Sequence, residues 1–146
     1  MYGMNQIRLA SINDESYLKT SIQAAYHEYP RLIAKGNGSL ELAVDRVLEN
    51  VAAEGFAHIA ENNGQLLGVS WWVSENPDEM SVAYYVEPDA RKNGVATQLL
   101  EAGLTEAKSR GARSSLIKTH PENAASISLA RKVGFEPVVA LLRQAL

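Results

Sequence analysis

The chain contains no cysteine, which excludes disulfides, thiolate metal sites and a cysteine nucleophile. No apolar run approaches the roughly 18 residues of a membrane-spanning helix. The first residues show neither the basic start nor the apolar stretch of a secretory signal, so a cytoplasmic protein with no membrane attachment is expected. A concentrated charge of one sign is also missing. Fourteen basic residues stand against 17 acidic ones, for a net charge of -3, with no basic block. A nucleic-acid partner is therefore not expected. No repeat, low-complexity tract or metal-ligand spacing breaks the 146 residues, and the expectation is one domain over 1–146 that buries a single core without a metal.

What is present is a regular alternation of elements. Ile7 to Ala10 reads as a short strand, and Leu18, Ile22, Ala25, Tyr26 and Tyr29 follow helical spacing up to Pro30. Ser39 can cap a second helix carrying Leu40, Val44, Val47, Leu48 and Val51 on one stripe, closed by Gly55. Two strands flank Asn62-Asn63-Gly64, whose Asn-Gly step favours the positive φ angles of a hairpin turn. A further turn at 75–78 leads into a β-rich segment from Met80 to Val86. A long helix is expected from about Gly94 to Arg110, then a strand from Ser115 to Thr119, a helix beginning at Glu122 or Asn123 and ending at Gly134-Phe135, and a final strand from Pro137 to Leu146. The strand–helix–strand passage around the long helix implies a parallel crossover.

The segment Tyr85-Val86-Glu87-Pro88-Asp89-Ala90-Arg91-Lys92-Asn93-Gly94-Val95-Ala96 passes from an apolar strand through a polar turn into a helix. Pro88 ends the strand. Gly94 permits close approach of a ligand to backbone, and the helix start offers N–H groups where its dipole is positive. The segment reads as an anion-binding loop suited to a diphosphate. It lacks the Gly-x-Gly-x-x-Gly of a dinucleotide fold and the Gly-Lys-Ser/Thr of a Walker A loop. The plainer alternative is that Gly94 only relaxes a strand-to-helix turn.

Arg91-x-x-Gly94-x-Ala96 resembles the Gln/Arg-x-x-Gly-x-Gly/Ala signature of the GCN5-related N-acetyltransferases (GNAT). Asn123-Ala-Ala-Ser126-Ile-Ser-Leu129-Ala130-Arg-Lys-Val-Gly134-Phe135 resembles the same family's Asn-x-x-Ala/Ser-x-x-Leu-Tyr-x-x-x-Gly-Phe. The element order matches that family's layout over almost the whole chain. The resemblance implies an α/β (α+β) fold: a mixed, mostly antiparallel sheet of about six to seven strands, with a parallel splayed pair at its centre and about four helices on both faces. It also implies acetyl-CoA as cosubstrate and direct transfer to a primary amine in a ternary complex. The amine would be a small molecule, with a peptide N-terminus or a lysine behind it, and a homodimer is compatible with the family. Tyr85 and Val86 would pair with the pantetheine arm. Arg91, Lys92, Asn93, Gly94, Val95 and Ala96 would hold the diphosphate, and Asn123 and Ser126 would flank the cofactor, although Asn123 serves equally as a helix cap.

The chain departs from the family at two chemical positions. Ala130 stands where many relatives carry the tyrosine that protonates the departing thiolate, and Met80 stands where many carry a strand carboxylate. The replacements available are His120, whose ordinary pKa suits proton transfer, and Tyr84, with Glu79, Tyr85 and Ser126 behind them; each also has a plain reading as a loop, core, strand-start or capping residue. Tyr84 and Tyr85 must point to opposite sheet faces, so one of them is expected in the core. A non-catalytic acyl-CoA-binding module is the alternative that these departures leave open.

Overall fold

A computed structural model describes residues 4–28, 39–119 and 123–138 of the protein. β1 (Gln6–Leu9) is followed by a 3-10 turn and by α1 (Glu15–Glu28), and α2 spans Leu40–Ala53. The Ser39 hydroxyl caps α2 by accepting from the Leu42 amide at 3.2 Å. β2 (Phe56–Asn62) and β3 (Gln65–Asn76) form the expected hairpin, with Asn63 at φ 50 and Gly64 at φ 80. β4 (Glu79–Val86) leads through the Pro88 turn to α3 (Val95–Ser109), β5 (Ser114–Ile117) and α4 (Ala124–Val133).

The sheet runs β1-β2-β3-β4-β5, antiparallel up to β4 and parallel between β4 and β5. α1 and α2 cover one face, where Leu18, Ile22, Val44 and Val51 pack on Ile59, Val69 and Trp71. α3 covers the other face through Leu99, Leu100 and Ala107, and Leu129 and Val133 of α4 join it there. Complete burial of side chains such as Ile22, Ile59, Val69 and Leu100 contributes about 1.5–3 kcal/mol each. The mixed α/β architecture with four helices on two faces matches the expectation.

Five strands are formed among the described residues, fewer than the six to seven expected. At Pro137 and Val138 the expected last strand is not formed, and its remainder lies outside the described residues, so β5 is an edge of the described sheet. Glu79 sits at the start of β4, where it accepts a hydrogen bond from Ser114 at 2.8 Å. No described helix is long and apolar enough to cross a membrane.

Alternation along β3 sends Trp71 to the α1/α2 face and Trp72 to the α3 face. Trp72 is fully buried, stacks on Phe56 with ring centroids 5.4 Å apart, and donates its indole N–H to Ser70 at 3.2 Å. The ring lies against Gly103 of α3: a Cβ built there would fall 2.1 Å from Trp72 Cζ2. Gly103 therefore lets α3 sit down on the indole.

Candidate active site

The β4–β5 ladder ends at Val82↔Ile117, whereas β4 stays paired with β3 as far as Gly68↔Val86. β5 ends at Ile117, opposite Val82, so the last four residues of β4 have no strand partner on that side among the described residues. The Glu87 amide donates to the Leu67 carbonyl at 2.8 Å, which makes that pair a hydrogen-bonded one. Strict alternation in an antiparallel ladder then turns the backbone N–H and C=O groups of Tyr84 and Val86 to the β5 side. A cleft of about 600 Å³ borders this edge, reaching from α1 to the start of α3 and to α4.

Both Tyr84 and Tyr85 line the cleft, although they project to opposite faces as expected. Tyr85 packs with the α1/α2 core and Tyr84 with the α3/α4 core. The expectation that one of them is lost to the core assumed a cleft on one face. Because β5 ends opposite Val82, the edge of β4 beyond it is uncovered, and both faces border the same space.

The loop at one end of the cleft has the form expected of an anion cradle. Gly94 is the N-cap of α3 at φ 81, no side chain caps the helix there, and a Cβ at Gly94 would meet nothing within 4 Å. Its backbone is therefore open to a ligand on the side a methyl would occupy. Lys92 also adopts positive φ, at 65. Arg91, Lys92, Gly94, Val95 and Ala96 line the cleft. Asn93 does not border it among the described lining residues; its side-chain amide donates to the Arg91 carbonyl at 3.2 Å and thereby shapes the loop. Arg91 donates to the Val86 carbonyl at 2.9 Å, pairs with Glu28 at the end of α1, and lies 5.5 Å from the Tyr85 ring centroid. The Tyr17 hydroxyl donates to Glu87 at 2.9 Å, which ties the start of the loop to α1; burial, then this carboxylate, push the phenol well above its usual range.

The α4 end contributes Asn123, Ser126 and Leu129 to the cleft. Asn123 is the N-cap of α4, its side chain accepting from the Ser126 amide at 3.1 Å. It therefore both caps and borders the cleft. The Tyr84 hydroxyl donates to the Ser126 hydroxyl at 3.3 Å, which places a pair of hydroxyls on the α3/α4 side. Ala130 is buried and absent from the described lining, and Met80 is buried in the α3-side core. His120 lies outside the described residues.

Several lining residues were not anticipated. Glu28 and Ala25 of α1, Lys118 after β5 and Lys132 of α4 all border the cleft. Lys118 pairs with Glu75 at 2.8 Å, and this hydrogen bond, then one to Ser81, hold the Glu75 carboxyl below its usual range. Glu28 stands three residues after Ala25, on the same side of the helix, which was the available signal. Among the described residues no group of three or more His, Asp or Glu side chains is placed to hold a metal ion.

The residues present fit an extended anionic thioester: an open backbone cradle for a diphosphate, cations beside it, and a slot edged by β4 backbone. Residues 19–135 match the acetyltransferase (GNAT) family. The mycothiol acetyltransferase of Cellulomonas flavigena is 35% identical over 88 residues, covering 53% of this chain and 25% of that protein. The match thus spans a quarter of that relative's length. A putative acetyltransferase from Salmonella typhimurium, solved with acetyl-CoA, superposes with a TM-score of 0.77 at 18% identity over 94% of this chain and 82% of its own. The aminoglycoside N-acetyltransferase AAC(6')-Iy in complex with CoA gives 0.71 at 20% identity over 98% and 95%. At such identities these two structures establish the likeness of fold.

Proposed function

The chain belongs to the acetyltransferase (GNAT) family, and from that premise we propose that it is an acetyl-CoA-dependent N-acetyltransferase acting on a primary amine. The observation that carries the reading is the cleft between the unpaired end of β4 beyond Val82 and residues 117–119, which continues to the open backbone at Gly94. The N–H groups from Lys92 to Ala96 would hold the diphosphate. The Tyr84 and Val86 backbone groups would receive the pantetheine arm and the thioester oxygen.

A thioester is already activated, so positioning of the neutral amine beside it supplies much of the rate. The amine nitrogen attacks the carbonyl carbon, the oxygen gathers charge, and the carbon–sulfur bond breaks to leave a thiolate. Tyr84, hydrogen-bonded to Ser126, is the candidate to protonate that thiolate. His120 is the sequence-based candidate for taking the proton from the amine. With no cysteine in the chain, direct transfer in a ternary complex is the expected route. Incubation with acetyl-CoA alone should leave no stoichiometric acetyl adduct by intact-protein mass spectrometry.

A second reading, a module that binds acyl-CoA without turnover, is favoured by one observation: Ala130 and Met80, at the two usual chemical positions, are both buried. A screen of primary amines with acetyl-CoA, reading free thiol, separates the two. Turnover supports the transferase, and cofactor binding without turnover across the panel supports the module.

A further inference from the structure

The half of the cleft facing α1 and α2 is chemically unlike the loop end. Its wall is formed by Ala25 and Tyr26 of α1, Trp71 of β3, and Ala83 and Tyr85 of β4. Three aromatic rings thus surround two methyl side chains. Burial pushes the Tyr26 phenol above its usual range, so the group stays neutral. Charge is as uneven as polarity. Among the described lining residues Arg91, Lys92, Lys118 and Lys132 are cationic, and Glu28 is the one carboxylate. Those cations suit the phosphates of a coenzyme A, which leaves Glu28 as the charged lining group for an acceptor's ammonium.

Resting on the transferase reading of the cleft, we infer that the acceptor is a monoamine carried on an apolar aryl or alkyl body. The body lies against Tyr26, Trp71 and Tyr85, and the nitrogen is turned towards Glu28. A carboxylate accepts through two oxygens, so the pairing of Glu28 with Arg91 does not exhaust its capacity for an ammonium. Aromatic faces and methyl groups favour an apolar body by burying its surface, and their quadrupoles tolerate one positive charge close by. A polyamine or aminoglycoside would leave its remaining ammonium groups against an aromatic wall, with no second carboxylate from the described lining residues. Tyr26 is accordingly a specificity residue.

The test compares kcat/KM for 2-phenylethylamine and hexylamine with that for spermidine and kanamycin, at saturating acetyl-CoA and constant ionic strength, reading free thiol. The apolar monoamines should be preferred by tenfold or more, on the order of what one apolar contact contributes to discrimination. Tyr26→Ala should raise the KM for 2-phenylethylamine by about tenfold while leaving the KM for acetyl-CoA unchanged. Tyr26→Phe should restore the wild-type value, because the ring rather than the hydroxyl makes the contact. Preference for the polycations overturns the inference and leaves the transferase reading standing. Acetyl-CoA binding with no turnover of any amine overturns both. Equal changes in the two KM values of a folded Tyr26→Ala protein would assign Tyr26 a structural role and overturn its part in selecting the acceptor.

Discussion

Arg91 and Glu28 form an ion pair that joins the loop between β4 and α3 to the end of α1, and both residues line the cleft. The same guanidinium holds the last carbonyl of β4 at 2.9 Å. The arginine that resembles the family's motif residue is therefore engaged by protein groups, and in the proposed binding mode the backbone around Gly94 is the principal anion cradle. A bound diphosphate and the Glu28 carboxylate would compete for one cation.

That competition gives the first prediction. Glu28→Gln removes the competing charge and should tighten acetyl-CoA binding by a few fold, whereas Arg91→Ala should weaken it by about tenfold, the loss of one charge-assisted contact. Calorimetric titration of both variants checks this. Weaker binding in Glu28→Gln would show that the pair orders the loop rather than competing with the ligand.

The hydroxyl pair Tyr84–Ser126 makes a kinetic prediction. Tyr84→Phe should lower kcat by about a hundredfold, the lower end of general-acid assistance, with a small change in the KM for acetyl-CoA. Ser126→Ala should lower it less, because the phenol itself remains. Pre-steady-state rates on both variants and on His120→Ala provide the comparison. An unchanged kcat in folded Tyr84→Phe would mean that solvent protonates the thiolate.

Stability should depend on acid pH through Asp14. Its carboxyl is held at about 2, below the ordinary 3.8, chiefly by the Arg8 guanidinium and with help from the Ser11 amide. Because the folded value is the lower one, the contribution is complete above about pH 4 and fades as pH falls through about 2. Asp14→Asn should therefore cost about 2 kcal/mol at neutral pH, and the difference from wild type should disappear near pH 2. Denaturant unfolding at a series of pH values measures both ends. A pH-independent difference would assign the effect to packing.

Gly103 supplies a test of the core. Alanine improves helix propensity by about 1 kcal/mol, but its methyl would sit 2.1 to 2.4 Å from three atoms of the buried Trp72 ring. Relief requires α3 to lift or the indole to turn, at about 1–3 kcal/mol or more. The steric cost wins, and Gly103→Ala should lower the melting temperature by several degrees. A rise would show that the helix accommodates the methyl without moving.

The regular elements were legible because their signals are local. Ser39 caps α2, the Asn63-Gly64 step turns the hairpin, and Gly94 opens α3 with positive φ, each by chemistry contained within a few residues. What was not legible depends on chain segments distant in sequence. The presence of both Tyr84 and Tyr85 in one cleft follows from where β5 stops pairing, which neither tyrosine encodes. Gly103 reads as one member of a helical stripe until Trp72 is seen beneath it. Glu28 reads as a helix-end carboxylate until Arg91, 63 residues later, is brought against it. The fold was therefore better marked than the site, whose proposed acceptor side is assembled from α1, β3 and β4.

Whether acetyl-CoA lies along the end of β4 with its diphosphate on the backbone at Gly94 is decided by calorimetric titration of acetyl-CoA into wild type and Gly94→Glu. A Cβ at this position meets no neighbour within 4 Å, so the variant should fold, with about 1–2 kcal/mol of strain from its positive φ. Its carboxylate would stand where the diphosphate must approach. The account predicts one site in wild type and no measurable binding in the folded variant; undiminished affinity in that variant, or no binding by wild type, would contradict it.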